Sequence, residues 1–152
     1  MIIRLAKLSD RTQVLRLLNQ LGEVVNERVH FDPDNVRAHE LGKRNYDEAM
    51  KRDDRKVFVA EEQADILGVA TFFILTDFIT GKPFAHIDDF VVDKAFRRMG
   101  IGSRLLEFIK TYAKKQDICT IELTSSLPLT DAHRFYEKRG GVYARKVMKF
   151  TL

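Results

Sequence analysis

One cysteine, three prolines and no tryptophan occur in 152 residues. A lone Cys119 excludes a disulfide framework and any zinc ribbon built on cysteine pairs. No His/Cys/carboxylate spacing resembles a metal site, so no metal is expected. No uncharged apolar run approaches the roughly 18–20 residues that span a bilayer. The apolar stretch in Met1–Lys7 is too short for a secretory signal. Repeats, low-complexity tracts and linkers are lacking too. What remains is 45% hydrophobic and 32% charged, with eleven phenylalanines in almost continuous apolar periodicity. That excludes a disordered chain. The expectation is one cytoplasmic domain over residues 1–152, long enough to bury a core.

The net charge of +4 is unevenly spread. Residues 1–93 hold 13 Lys+Arg and 17 Asp+Glu, a net of −4. Residues 94–152 hold 13 Lys+Arg and 5 Asp+Glu, a net of +8. A basic half suits a nucleic acid, a membrane surface or a phosphorylated small molecule, and composition alone does not choose.

Ile2–Ala6 reads as a strand. Ser9 and Asp10 offer caps for a helix, with Gln13 at capping-box distance from Asp10. Val14, Leu17, Leu18, Leu21 and Val25 form the core face of that helix. Asp32 and Pro33 suit the start of a second, charge-rich surface helix running to about Arg52. Lys56–Glu61 and Ile66–Thr76 read as a hairpin, the second run apolar on both faces as in a covered central strand. Phe84–Asp93 is the next strand. Gly100 and Gly102 open a helix to about Lys115, with Ile101, Leu105, Phe108, Ile109 and Tyr112 as its buried stripe. Ile118–Thr124 reads as a strand in which Cys119 is expected buried and inert. Thr130–Arg139 reads as a helix closed by Gly140 and Gly141, and Val142–Phe150 as an extended end. The order β-α-α-β-β-β-α-β-α-β implies an α/β (α+β) fold with a mixed, mostly antiparallel sheet and helices on both faces.

Arg97-Arg98-Met99-Gly100-Ile101-Gly102 joins a strand to a helix. A helix start offers unpaired N–H groups and the positive end of the dipole, which suits phosphate. Glycines there permit positive φ and close backbone approach to an anion. The alternative is a plain strand-to-helix turn with solvated arginines. A dinucleotide-binding fingerprint fails because Leu105 stands where its third glycine belongs. A P-loop fails for want of Gly-Lys-Ser/Thr.

The run Ile87-Asp88-Asp89-Phe90-Val91-Val92-Asp93-Lys94-Ala95-Phe96-Arg97-Arg98-Met99-Gly100-Ile101-Gly102 resembles the acetyl-CoA-binding core of the GNAT N-acetyltransferase superfamily. Ala132-His133-Arg134-Phe135-Tyr136-Glu137-Lys138-Arg139-Gly140 is similar to that family's A-x-x-x-Y-x-x-x-G helix. Ile2–Ala6 and Leu67–Ala70 fit its first and third strands. The resemblance implies that Phe90, Val91 and Val92 lie on a bulged strand whose backbone pairs with the pantetheine arm of acetyl-CoA. It implies that a released N–H there faces the thioester carbonyl. The pyrophosphate then falls on backbone N–H groups from Arg98 through Met99, Gly100, Ile101 and Gly102 to Ser103. Arg97 matches the family's leading Arg/Gln, and Gly100 and Gly102 must be small.

By the same resemblance Tyr136 is the general acid for the leaving thiolate. Asp88, nine residues before Arg97, is the base for the attacking amine, with Asp89 in reserve should a bulge reverse its parity. Leu129 departs from the asparagine many relatives carry there. Val142–Phe150 is short for the usual final hairpin, so either the sixth strand is very brief or a second copy, in a homodimer, completes the edge.

The implied activity is acetyl transfer from acetyl-CoA to a primary amine of a small, cationic acceptor. Glu27, Asp32, Asp34, Glu40, Asp47, Glu48, Asp53 and Asp54 lie where relatives build the acceptor site, or form an ordinary solvated face. His86 and His133 could join a proton relay, and His30 and His39 could approach substrate, though structural histidines are commoner. A protein or peptide acetyltransferase and a non-catalytic acyl-CoA sensor are the alternatives. Neither nucleic acid nor membrane is an expected partner, because the cations follow a phosphate-binding turn and lack a helix-turn-helix or stacking pattern.

Overall fold

Apolar residues alternate in some strands and fill both faces in others, which requires a sheet covered on both sides. A computed structural model describes residues 1–29, 38–148 and 150 and supplies the arrangement. Five strands, β1 (Ile2–Leu5), β2 (Arg55–Glu62), β3 (Asp65–Thr76), β4 (Pro83–Val92) and β5 (Ile121–Leu123), lie in the order β1-β2-β3-β4-β5. All neighbours are antiparallel except β4 and β5, which run parallel. Helices α1 (Arg11–Val29) and α2 (Ala38–Ala49) cover one face, and α3 (Ile101–Lys115) and α4 (Thr130–Glu137) the other. The expected start of the second helix at Asp32 and Pro33 lies outside the described residues, as do His30 and the His39 side chain.

Each face has its own core. Val14, Leu17 and Tyr46 from α1 and α2 pack on Val57, Val59, Val69 and Val91. Leu105, Leu106, Ile109 and Ala113 from α3 pack on Phe58, Ala70, Phe72, Ala85 and Ile87. Phe58 meets the rings of Phe72 and Tyr112 edge-on, with centroids 5.6 and 5.0 Å away. Phe108, expected in the buried stripe, sits on its flank, 37% exposed, because Leu106 and Ala113 fill the centre.

Three local expectations change. Gln13 does not return to Asp10. Its side-chain amide donates to the Ala64 carbonyl at 3.0 Å and accepts from the Ile66 N–H at 2.8 Å. It thereby pins a β2–β3 turn whose two central residues, Gln63 and Ala64, both have positive φ, as two-residue hairpin turns demand. Cys119 is exposed, since Ile118 takes the inward position and β5 begins only at Ile121. Residues 142–148 pair with no strand. Arg145 reaches Glu122 of β5 at 3.1 Å, yet Val142, Tyr143, Val147 and Met148 are exposed, so no apolar face fixes a register. No helix among the described residues is long and apolar enough to cross a membrane.

Entry to α1 is held by a partly buried ion pair. The Arg4 guanidinium on β1 donates to Asp10 at 2.6 and 3.1 Å and reaches Glu61 of β2 at 2.6 Å, while Asp10 also accepts from the Lys7 N–H at 2.7 Å. Arg4 and these bonds hold the Asp10 carboxyl below its usual range despite burial. A carboxyl that titrates lower folded than unfolded stabilises the fold fully above its unfolded value of about 3.9. That contribution is lost as pH falls through the folded value. Asp10→Asn is therefore expected to cost about 2 kcal/mol at pH 7. In urea unfolding it should also lose less stability than the wild type between pH 6 and pH 3.

Candidate active site

β4 is where the sheet departs from regularity. Ala70 pairs with Phe90 but Phe72 pairs with Ile87, so Asp88 and Asp89 together stand opposite Thr71. The extra residue is a β-bulge. Thr71 secures it twice: its hydroxyl accepts from the Asp89 N–H at 2.9 Å and donates to the Asp89 carboxylate at 2.9 Å. Ahead of the bulge, Ala85 and Ile87 face α3. Beyond it Phe90 takes that side and Val91 faces α1. Continuous pairing would have reversed these last two.

The bulge thus brings Phe90 against α4, with its ring centroid 5.7 Å from Phe135 and 6.1 Å from Tyr136. Burial pushes the Tyr136 phenol up to about 12, so it keeps its proton at any physiological pH. Asp88 is exposed and Asp89 half-buried. Burial raises the Asp89 carboxyl, the Thr71 hydroxyl pulls it down, and the nearby negative Asp88 raises it again, for a net upward shift.

Here β4 also loses its outer neighbour. β5 pairs only with Ala85, His86 and Ile87. Among the described residues, no strand lies against the outer edge of residues 88–92. Such an edge offers N–H and C=O groups to any extended chain that can lie along it.

Beyond β4, Asp93 caps a turn of 3-10 helix (Lys94–Phe96), accepting from the Ala95 N–H at 3.1 Å. Burial raises its carboxyl, but hydrogen bonds from Arg16, Ala95 and Gln20 prevail and hold it low. The α1 residue Arg16, 2.5 Å from Asp93 and 3.1 Å from the Ile66 carbonyl, ties this turn to the sheet. Arg98 (φ +65°) and Gly100 (φ +81°) then swing the chain through left-handed conformations into α3. Gly100 caps α3 with no side-chain acceptor, and the first turn holds no acid. The Arg104 N–H bonds the Gly100 carbonyl at 3.1 Å, whereas the N–H groups of Ile101, Gly102 and Ser103 precede any carbonyl they could reach in the helix. An anion is their natural partner.

The sequence-predicted residues are therefore brought together unevenly. Phe90, Val91 and Val92 lie along the free edge, and Arg98 to Ser103 form the turn. Met99 is 69% exposed, while the Ile101 side chain is core, packed with Ala60 and Leu67. The Arg97 Nε donates to the Val92 carbonyl at 3.1 Å, and with Lys94, Gln20, Glu23 and Val24 the residue lines a cavity of about 160 Å³. A Cβ at Gly102 would meet the Phe135 ring at 3.3 Å. His133 lies edge-on to Tyr143, 6.2 Å between centroids. Asp47, Glu48, Asp53 and Asp54 pair with Arg11, Lys51, Lys56 and Arg52, and the second Asp47 oxygen is buried without a hydrogen-bond partner. Glu27, Asp32, Asp34 and Glu40 lie outside the described side chains. Among the described residues no group of three His, Cys, Asp or Glu gathers as metal ligands would.

A bulged fourth strand thus parts from a parallel fifth, above a helix start that no side chain caps. The sequence profile of the acetyltransferase (GNAT) family matches residues 19–141. A mutant of the BH1408 protein from Bacillus halodurans superposes with a TM-score of 0.87 at 26% identity, over 100% of this chain and 99% of that one. An aminoglycoside acetyltransferase, meta-AAC0020, from an uncultured soil metagenomic sample shares the fold at 23% identity, with a TM-score of 0.77 over 99% of this chain and 94% of that one. A ribosomal-protein-alanine N-acetyltransferase from Brucella melitensis does so at 17% identity, with a TM-score of 0.73 over 99% and 100%. The chain belongs to the GNAT family and is an acyltransferase. Acetyl-CoA is the donor typical of that family.

Thr71→Val keeps the side-chain shape and removes both bonds to Asp89. The expected cost is about 1–3 kcal/mol in denaturant unfolding, and a loss below about 0.5 kcal/mol would mean that Thr71 does not hold the bulge.

Proposed function

We propose that the protein transfers an acetyl group from acetyl-CoA to a primary amine of a small, cationic acceptor by direct attack. The observation that carries this reading is the free edge of β4 at its bulge, with two carboxylates on the strand and Tyr136 packed on Phe90 just beyond them. The residues fit the donor. The edge of Phe90–Val92 suits the amide-bearing pantetheine arm, and the turn from Arg98 to Ser103 supplies N–H groups for its pyrophosphate.

Asp88, the exposed carboxylate, draws the acceptor's ammonium and takes its proton, directly or through water. The amine nitrogen then bonds to the carbonyl carbon, the carbon–sulfur bond breaks, and the sulfur leaves as a thiolate. Tyr136, whose phenol holds its proton at physiological pH, donates it to that sulfur, and the proton that the nitrogen sheds as the amide forms passes to the phenolate. Asp89 serves the bulge, its carboxylate already engaged by Thr71. A small cationic acceptor is supported by this carboxylate pair and by the structural likeness to an aminoglycoside acetyltransferase.

Thiol release from acetyl-CoA, measured over polyamines, aminoglycosides and peptides, tests the reading. Turnover with a cationic small amine is expected. Turnover restricted to peptides would make the protein a peptide acetyltransferase, and tight acetyl-CoA binding without any turnover would make it a sensor. Tyr136→Phe and Asp88→Asn should each lower kcat at least about tenfold while changing acetyl-CoA affinity less than threefold. Wild-type kcat in Asp88→Asn with loss in Asp89→Asn would move the base to Asp89.

A further inference from the structure

The lone cysteine, the exposed tail and the surface acids bear no built site, but one arginine outside every expected role joins the two functional helices. Arg139 lies two residues past the end of α4. Its guanidinium lies over the Phe135 ring, 4.0 Å from the centroid, and Nη1 donates to the Phe135 carbonyl at 3.0 Å. Nη2 donates to the hydroxyl of Ser103, in the first turn of α3. The Arg139 carbonyl accepts from Lys110 Nζ, farther along α3, at 3.0 Å. The Phe135 ring that Arg139 covers is the one packed against Gly102 and Phe90.

This arrangement has a chemical consequence at Ser103. A hydroxyl carries one proton and two lone pairs. With a lone pair committed to a guanidinium, it is polarised as a donor, and its proton points to another acceptor. An acceptor beside Arg139 and the unpaired N–H groups of α3 is favoured when anionic. We propose that Arg139 is a positioning residue for the donor substrate: it holds the Ser103 hydroxyl as a hydrogen-bond donor to the pyrophosphate of acetyl-CoA. It also adds a fixed positive charge there, beyond that of Arg97, whose Nε is bonded to the Val92 carbonyl. The inference rests on the acetyl-CoA reading above and names a residue that neither the glycine motif nor the tyrosine helix motif singles out.

The test compares ligands with and without phosphate. Calorimetry with acetyl-CoA and ligand-observed NMR with S-acetylpantetheine, which lacks the pyrophosphate, are run on wild type, Arg139→Gln, Arg139→Lys and Ser103→Ala. Arg139→Gln is expected to weaken acetyl-CoA about tenfold or more, so that the ratio of the two dissociation constants shifts by a similar factor. Lysine at position 139 should recover part of the loss, since it keeps the charge and one donor but not the stacked fork. Ser103→Ala should weaken acetyl-CoA several-fold, and adding it to Arg139→Gln should cost less than the two single losses combined, as in a shared interaction. A ratio within twofold of wild type in Arg139→Gln, or equal weakening of both ligands, overturns the proposal and leaves Arg139 as packing for α4. Should Arg139→Gln fail to fold, wild-type acetyl-CoA affinity in Ser103→Ala overturns it instead. If wild-type protein binds no acetyl-CoA, the donor reading itself has failed.

Discussion

The bond pair between Thr71 and Asp89 governs the second half of β4 and the helix packed on it. It accommodates one surplus residue in β4, and that surplus reverses the facing of every later residue in the strand. Phe90 consequently meets Phe135 and Tyr136, while Val91 closes the core beneath α1. Without the bulge, Tyr136 would lose its apolar neighbour on the sheet, and the burial that pushes its phenol upward would diminish with it. One hydroxyl thereby links the register of a sheet to the surroundings of a side chain on the helix packed against it.

Charge is arranged by the same geometry. The carboxylates of Asp88 and Asp89 stand at the bulge, in the acidic part of the chain, and the uncapped start of α3 with Arg98, Arg104 and Arg139 stands in the basic part. The division is sharper than the average of +4 suggests, a net of −4 over residues 1–93 against +8 over residues 94–152, and many of the other acids are spent in pairs. Asp93 answers Arg16, Asp10 answers Arg4, and Asp47, Glu48 and Asp54 answer neighbouring cations. These pairs fix α1, β1 and the turn after β4, so they secure the frame and leave Asp88 facing solvent.

Sequence revealed the parts whose cause is local. The doubly apolar run of β3, the glycine-marked entry to α3 and the tyrosine helix all declare themselves within a few residues, because turn chemistry and hydrophobic period act at that range. The family resemblance added the expectation of a bulge, but Ile87-Asp88-Asp89-Phe90 reads locally as plain strand, since a bulge exists only relative to Thr71 on another strand. Gln13 looked like a capping residue because its true partners, Ala64 and Ile66, are far away in sequence. Arg139 carried no signal at all: its neighbours Phe135 and Ser103 matter together only once α4 lies beside α3. The tail after Gly141 held apolar residues suggestive of a strand, yet strand pairing needs a consistent apolar face, and Val142, Val147 and Met148 do not supply one.

The central claim is that the free edge of β4 beyond its bulge and the start of α3 together hold acetyl-CoA. Hydrogen exchange with and without acetyl-CoA tests it most directly. Slowed exchange at the amides of Phe90, Val92 and Arg98–Ser103, with β1 and β2 unchanged, is the predicted result. Binding that leaves both segments exchanging at their free rates, or that protects only α1 and α2, would contradict it.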